Sequence, residues 1–179
     1  MKVIAIGGEP GSGKTTLMWK LVEHFKVEPK YDSFKLVPYL QKDNVYILGK
    51  YEVSETFAGT DRMSMAVQPE AEKFVKSLPK DSIVIYEGDR LFTASFLEKM
   101  LDLSDLSIVY LETSKDVRKQ RYELRGSEQN ETWLNGRESK IDNIRKNMVL
   151  LFSMQTFENN TMENQQIVFD KILEIVDGK

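Results

Sequence analysis

The chain has no cysteine. That excludes disulfides, thiolate metal sites and cysteine nucleophiles, and it fits a reducing compartment such as the cytoplasm. Histidine occurs once. His24 falls late in the first predicted helix and reads as an ordinary surface or core-edge residue. No apolar run reaches transmembrane length, so no membrane partner is expected. The N-terminus lacks the pattern of a secretion signal, because its apolar run is short and leads directly into a glycine-rich loop. There is no internal repeat and no low-complexity stretch. A strong positive excess is missing too: net charge is −3, so composition does not point outright to nucleic acid.

What is present fits one globular domain. At 179 residues, 41% apolar and 30% charged, the chain is long enough to bury a core. We expect a single domain over 1–179. Charge is spread unevenly. Residues 115–146 carry nine basic and six acidic side chains, a local +3 within the overall −3. That segment is the expected lid.

The most informative string is Gly8-Glu9-Pro10-Gly11-Ser12-Gly13-Lys14-Thr15. It matches G-x-x-x-x-G-K-[ST] in full, and it lies between an apolar run, Val3-Ile4-Ala5-Ile6, and a helical pattern from Thr15 to Phe25. Strand, glycine loop and helix are the parts a phosphate cradle needs. Glycines let backbone N–H groups turn inward, and the helix presents its positive end to an anion. Lys14 can reach the β- and γ-phosphates, and the Thr15 hydroxyl can ligate Mg²⁺. Gly8 through Thr15, with Thr16 next to them, are the expected nucleotide-binding residues.

Further strands are expected at 45–48, 82–86 and 107–111, with short ones possible at 34–37 and 154–157. Helices are expected near 64–77, 91–101, 114–125, 132–152 and 162–176. Residues 27–44 read as irregular, with Pro29 and Pro38 as breakers. Alternating strands and helices predict an α/β fold: a parallel sheet between two helical layers, ligands binding at the strands' carboxyl ends.

Several charged residues fall at those ends. Glu87 and Asp89 follow the buried run Ser82-Ile83-Val84-Ile85-Tyr86, where a Walker-B-type carboxylate holds Mg²⁺. A strand-end turn with solvated acids has the same composition. Arg90 is a candidate substrate-phosphate contact or a solvated side chain. Asp61-Arg62 stands just before a helix; Asp61 can accept a hydroxyl proton there, or cap the helix, with Ser64 as a second cap. Arg118, Arg121 and Arg125 recur on one helix face. They form either a solvated stripe or a lid that clamps phosphates through arginine's rigid fork. The polar stretch 126–136 suits the moving part of a lid, and Arg137 and Lys140 beyond it can close over the γ-phosphate. Thr113-Ser114-Lys115-Asp116 lacks the Asn of a guanine-reading motif and reads as a capping box.

These parts together resemble the P-loop NTPase fold of phosphate-loop kinases related to nucleoside and nucleotide kinases, over nearly the whole chain. Four segments carry a narrower resemblance: Ile47-Leu48-Gly49-Lys50-Tyr51, Gly59-Thr60-Asp61-Arg62-Met63-Ser64-Met65-Ala66-Val67-Gln68-Pro69, Tyr86-Glu87-Gly88-Asp89-Arg90-Leu91-Phe92 and Trp133-Leu134-Asn135-Gly136-Arg137-Glu138-Ser139-Lys140. They are similar to bacteriophage kinases that phosphorylate 5-hydroxymethyluracil within DNA. The resemblance implies ATP and Mg²⁺ as cofactors, a base hydroxymethyl group as nucleophile, and the host cytoplasm as location. It also implies Asp61 as general base and Arg137 as a lid cation; on the residues alone Glu87 is the other candidate base. A net charge of −3 departs from what a DNA-acting enzyme needs. Tyr51, Phe57, Phe92 and Trp133 can stack on a base or sit in the core. A kinase of free nucleosides or nucleoside monophosphates has the same machinery. A nucleotide-binding switch or ATPase module is the remaining alternative.

Overall fold

The structure, a computed structural model, describes residues 1–30, 36–52, 58–124, 126 and 131–178, with the backbone alone at 131, 133 and 135. One seven-stranded sheet organises them, in the order β2-β3-β4-β5-β1-β6-β7. The strands are β1 (Lys2–Gly8), β2 (Glu28–Lys30), β3 (Tyr39–Lys42), β4 (Val45–Leu48), β5 (Ile83–Glu87), β6 (Asp105–Glu112) and β7 (Met154–Glu158). The helices are α1 (Lys14–Phe25), α2 (Gln68–Ser77), α3 (Ala94–Leu103), α4 (Lys115–Leu124), α5 (Glu131–Arg145) and α6 (Met162–Asp177). From β4 to β7 all pairings are parallel; β2 and β3 extend the edge in antiparallel fashion.

The layers follow from strand alternation. Along β1, Val3 and Ala5 join a cluster with Phe74 of α2 and Phe96 of α3. Ile4 and Ile6 point the other way, to Leu17 and Met18 of α1 and Val168 and Ile172 of α6. Helices therefore cover both faces, as the near-continuous apolar runs of β1, β5 and β6 require. Because β1 lies between β5 and β6, the glycine loop leaves the sheet at its centre. It is flanked there by the ends of β5 and β6, at the switch point where such sheets bind ligands.

Some local expectations change. Among the described residues of 27–44 there are two strands, β2 and β3. Asp43, in the left-handed region at φ 52°, sits at the turn of the β3–β4 hairpin, a conformation Asp tolerates. Pro29 is accommodated on the edge strand β2, where a missing donor costs least. Of the short strand expected at 34–37, residues 34 and 35 lie outside the described residues, and Val37 is buried but not in a strand. Helix α2 begins at Gln68, with Pro69 in its first turn and 64–67 forming a turn ahead of it. Helix α5 stops at Arg145. The Asn147 side chain accepts from the Val149 N–H and donates to Glu98, local bonds that compete with a continued helix.

Candidate active site

The loop between β1 and α1 is held from below and from the side. Gly8, Gly11 and Gly13 all have positive φ. Gly13 has φ 92°, and a Cβ there would lie 2.6 Å from Asn159 Nδ2. Only glycine suits that combination of backbone and space. Asn159 Nδ2 donates to Ser12 O at 2.6 Å. The Thr113 hydroxyl donates toward Ser12 O and Asn159 O. The Tyr122 hydroxyl donates to Pro10 O. The Lys14 amine folds back over the loop, donating to Gly8 O at 2.8 Å and Glu9 O at 3.0 Å. Thr16 is exposed on the first turn of α1.

Thr113 thus does not cap α4. Ser114 does: its hydroxyl accepts from the Val117 N–H at 3.4 Å. The capping reading of Thr113-Asp116 moves by one residue because burial of Thr113 aims its hydroxyl at the loop.

Two carboxylates approach from the β5 end. Glu87 is only 2% exposed. The Thr15 hydroxyl donates to its Oε1 at 3.4 Å, and the Thr60 hydroxyl donates to its backbone O at 2.7 Å. Burial pushes the Glu87 carboxyl up to about 7, with nearby Asp61 adding to the rise and Lys14 and Thr15 opposing it. Asp61 is exposed. Its Oδ1 accepts from the Asp89 N–H at 2.6 Å. Asp61 lies in a 3₁₀ turn, Thr60–Arg62, and the N-cap of α2 is Val67, with no side-chain cap. An exposed carboxylate and a buried one therefore stand side by side, each tied to the other's loop.

The cations gather on the lid side. Arg137 pairs with the Asp89 carboxylate. Lys140 donates to Asp89 O at 2.7 Å. Burial and the neighbouring Arg137 guanidinium lower the Lys140 amine to about 8; Arg90 lowers it further and Asp61 opposes. Arg90 donates to Met63 O at 3.3 Å. Arg62 pairs with Glu52 at 2.9 Å. Arg118, 8% exposed, pairs with Glu9 of the loop and, at 3.7 Å, with Glu138 of α5. Arg121 donates to Gly11 O, Asn159 O and Asn160 O at 2.9–3.3 Å. So the arginine stripe faces the loop, but it grips a carboxylate and backbone carbonyls. Arg125 and 127–130 of the expected lid lie outside the described residues.

The stacking candidates fare differently. Phe92 and Tyr51 are core residues, so neither ring offers an open face. Phe57 and the Trp133 side chain lie outside the described residues.

The donor set suits Mg²⁺. That ion keeps several waters and takes one or two carboxylates beside phosphate oxygens. Thr15 and Glu87 are the residues that could hold it. Among the described residues no group of three or more His, Cys, Asp or Glu forms a metal cage, and none is needed for such a site. No described helix is long and apolar enough to cross a membrane.

Asn159, Gln165, Tyr122 and Thr60 were not legible as site residues. They are neutral side chains, and apart from Thr60, which lies in the segment 59–69 and bonds Glu87 O, they fall in no motif; only the fold brings them to the site. Gln165, for instance, donates from α6 toward Gly13 O at 3.5 Å.

The fold is shared with solved kinases. A sugar kinase from Janibacter sp. HTCC2649 aligns over 99% of this chain and 95% of its own, at 10% identity and TM-score 0.53. A gluconokinase from Sinorhizobium meliloti 1021 aligns over 98% and 95%, at 15% identity and TM-score 0.51. A deoxyadenosine kinase from M. mycoides covers 98% and 100%, at 16% identity and TM-score 0.48. At such identities the first two show the fold alone. Comparison with curated proteins gives no match. The family profile described as P-loop Nucleotide Kinase3 matches residues 1–162, most of the chain and every strand of the sheet, and the chain belongs to that family.

Proposed function

We propose that the chain moves the γ-phosphoryl group of ATP to an acceptor hydroxyl, and that the acceptor is the 5-hydroxymethyl group of 5-hydroxymethyluracil in DNA. The observation that carries the kinase reading is the meeting of the Lys14-Thr15 loop end with buried Glu87 and exposed Asp61. The acceptor rests on the resemblance of residues 47–51, 59–69, 86–92 and 133–140 to phage DNA kinases.

The two carboxylates divide the work by burial. Glu87 touches Thr15 and belongs with the metal side. Asp61 is open to an incoming acceptor, and its Oδ1 is already fixed by the Asp89 N–H. The acceptor oxygen forms a bond to the γ-phosphorus as the bond to the ADP oxygen breaks, and the acceptor's proton passes to Asp61. Lys14 offsets charge on the transferring group; Arg137 and Lys140 stand across the site on α5 to do the same. Thr15 and Glu87 would hold Mg²⁺, which would supply neutralisation of charge developing on the phosphates. Gly8, Glu9, Pro10, Gly11, Ser12, Gly13 and Thr16 form the nucleotide cradle. Arg118 and Arg121 hold its shape, and Arg62 and Arg90 border the acceptor side.

A free nucleoside or nucleoside monophosphate is the second reading. The net charge of −3 favours it, since a DNA-bound enzyme gains affinity chiefly from phosphate contacts. Transfer from γ-labelled ATP distinguishes the two. The acceptors are an oligonucleotide containing 5-hydroxymethyluracil, the same sequence with thymine, free 5-hydroxymethyl-2′-deoxyuridine and nucleoside monophosphates. Label on the modified oligonucleotide alone supports the first reading. Label on the free compounds alone replaces it with the second, and ATP hydrolysis without any labelled acceptor removes both.

A further inference from the structure

Beside the site, the Tyr51 hydroxyl, Asn159 Oδ1 and Gln165 Oε1 are buried polar atoms without a partner among the described residues, and the first lies next to Glu87. Tyr51 is 7% exposed, and among the described residues its hydroxyl makes no hydrogen bond. Such atoms are rare in folded proteins and costly to leave unmet.

Its place is set by a close backbone crossing. Lys50 and Gly59 exchange both N–H bonds, at 3.1 and 2.7 Å. A Cβ at Gly49 would lie 2.4 Å from the Gly59 carbonyl carbon. The crossing sets Lys50 and Gly59 side by side. The Tyr51 ring packs edge-on against Trp19 of α1, centroids 5.6 Å apart, within the cluster that contains Leu17 and Ile85. The ring cannot turn away without emptying that contact.

The hydroxyl lies close enough to Glu87 to feel its charge. A Cβ built on Gly59 would lie 3.2 Å from Tyr51 Oη and 2.4 Å from Glu87 Oε1. Both atoms converge on the same glycine. Thr15 donates to the same oxygen through a long bond, at 3.4 Å, and the Lys14 charge also acts on Glu87. Burial, with the charges of Glu87 and Asp61, holds Tyr51 well above the ordinary tyrosine range, so it remains a donor at any working pH.

We propose that Tyr51 is a positioning residue for Glu87: its hydroxyl donates to the Glu87 carboxylate when nucleotide and acceptor are bound, and fixes the rotamer in which that carboxylate works. The inference rests on the kinase reading above. It adds a residue that no phosphate-loop motif contains, and it reverses the ordinary meaning of a core tyrosine. Buried Tyr86 and Ser82 also carry hydroxyls without a partner among the described residues; what sets Tyr51 apart is that its hydroxyl and Glu87 Oε1 converge on Gly59.

The test is Tyr51→Phe, which keeps the ring and removes the donor. Three quantities are measured: thermal midpoint without ligands, KM for ATP, and kcat with the best acceptor from the screen or with water in ATP hydrolysis. The expected result is a midpoint equal to or above wild type, KM for ATP within about twofold, and kcat down about 10- to 100-fold, the worth of a hydrogen bond to a charged group. Tyr51→Trp, which places a bulkier donor in the packed site, is expected not to restore kcat. Unchanged kcat in Tyr51→Phe overturns the proposal. So does a midpoint several degrees lower, because the hydroxyl would then be bonded in the resting fold. A wild-type protein that neither transfers nor hydrolyses overturns the kinase reading instead, and removes the proposal with it.

Discussion

Replacing Glu87 by glutamine should stabilise the ligand-free protein at pH 8 and abolish phosphoryl transfer. The carboxyl is 2% exposed and sits at about 7, against an ordinary 4.5. A raised acid binds its proton more tightly in the folded chain than in the unfolded one. Stability is therefore full below about pH 4.5 and falls as pH rises through 7. Each unit is worth about 1.4 kcal/mol, so the ionised carboxylate costs the fold about 2–3 kcal/mol between pH 5 and pH 8. For a chain of this size that is about 5–10 °C in Tm. Lys140, lowered to about 8, acts only near the upper end of this window and with the opposite sign. Urea denaturation of both proteins at pH 5 and pH 8, without nucleotide or metal, measures the effect. Glu87→Gln should lose most of the pH dependence and exceed wild type at pH 8. A variant with the wild-type slope would show that Glu87 is not the buried titrating group, and a variant with full activity would remove it from the site.

Other substitutions separate the roles. Asp61→Asn keeps an oxygen for the Asp89 N–H, so it should fold and bind ATP as wild type does while kcat falls about 10²- to 10⁴-fold; steady-state kinetics beside nucleotide titration decides. Arg121→Ala removes three bonds to backbone carbonyls and should cost about 2 kcal/mol, with faster amide exchange over residues 8–15; exchange unchanged there would mean the loop holds itself. Gly59→Ala combines φ 79° with a Cβ 2.4 Å from Glu87 Oε1, so it should lose about 2 kcal/mol or more of stability and most activity, read by thermal melting and the transfer assay.

Much of this architecture could be read from residues alone, for a physical reason in each case. β1, β5 and β6 are buried on both faces, so they appear as continuous apolar runs such as Ser82 to Tyr86. The loop Gly8–Thr15 is legible because a phosphate cradle needs its glycines, Lys and Thr at fixed spacing. Glu87 and Asp61 stand out as carboxylates beside apolar strands. Other features depend on contacts distant in sequence. β2 and β3 hide behind Pro29 and Pro38, because an edge strand and a hairpin tolerate prolines that a central strand would not. Asn159 carries no motif and Thr113 only a capping pattern; both reach Ser12 O from other elements. Arg118 and Arg121 share a face in any helix, but the sequence does not tell that Glu9 and the loop carbonyls lie opposite. Tyr51 has the composition of a stacking platform, and only its packing against Trp19 leaves the hydroxyl as the part that matters.

The most direct measurement is the transfer of γ-label from ATP with Mg²⁺ to an oligonucleotide containing 5-hydroxymethyluracil, run with wild type and with Asp61→Asn. Label should appear on the modified base with wild type only, while both proteins bind ATP equally. Equal labelling by the two proteins, or ATP turnover that labels no hydroxyl acceptor, would contradict a kinase site built on Asp61.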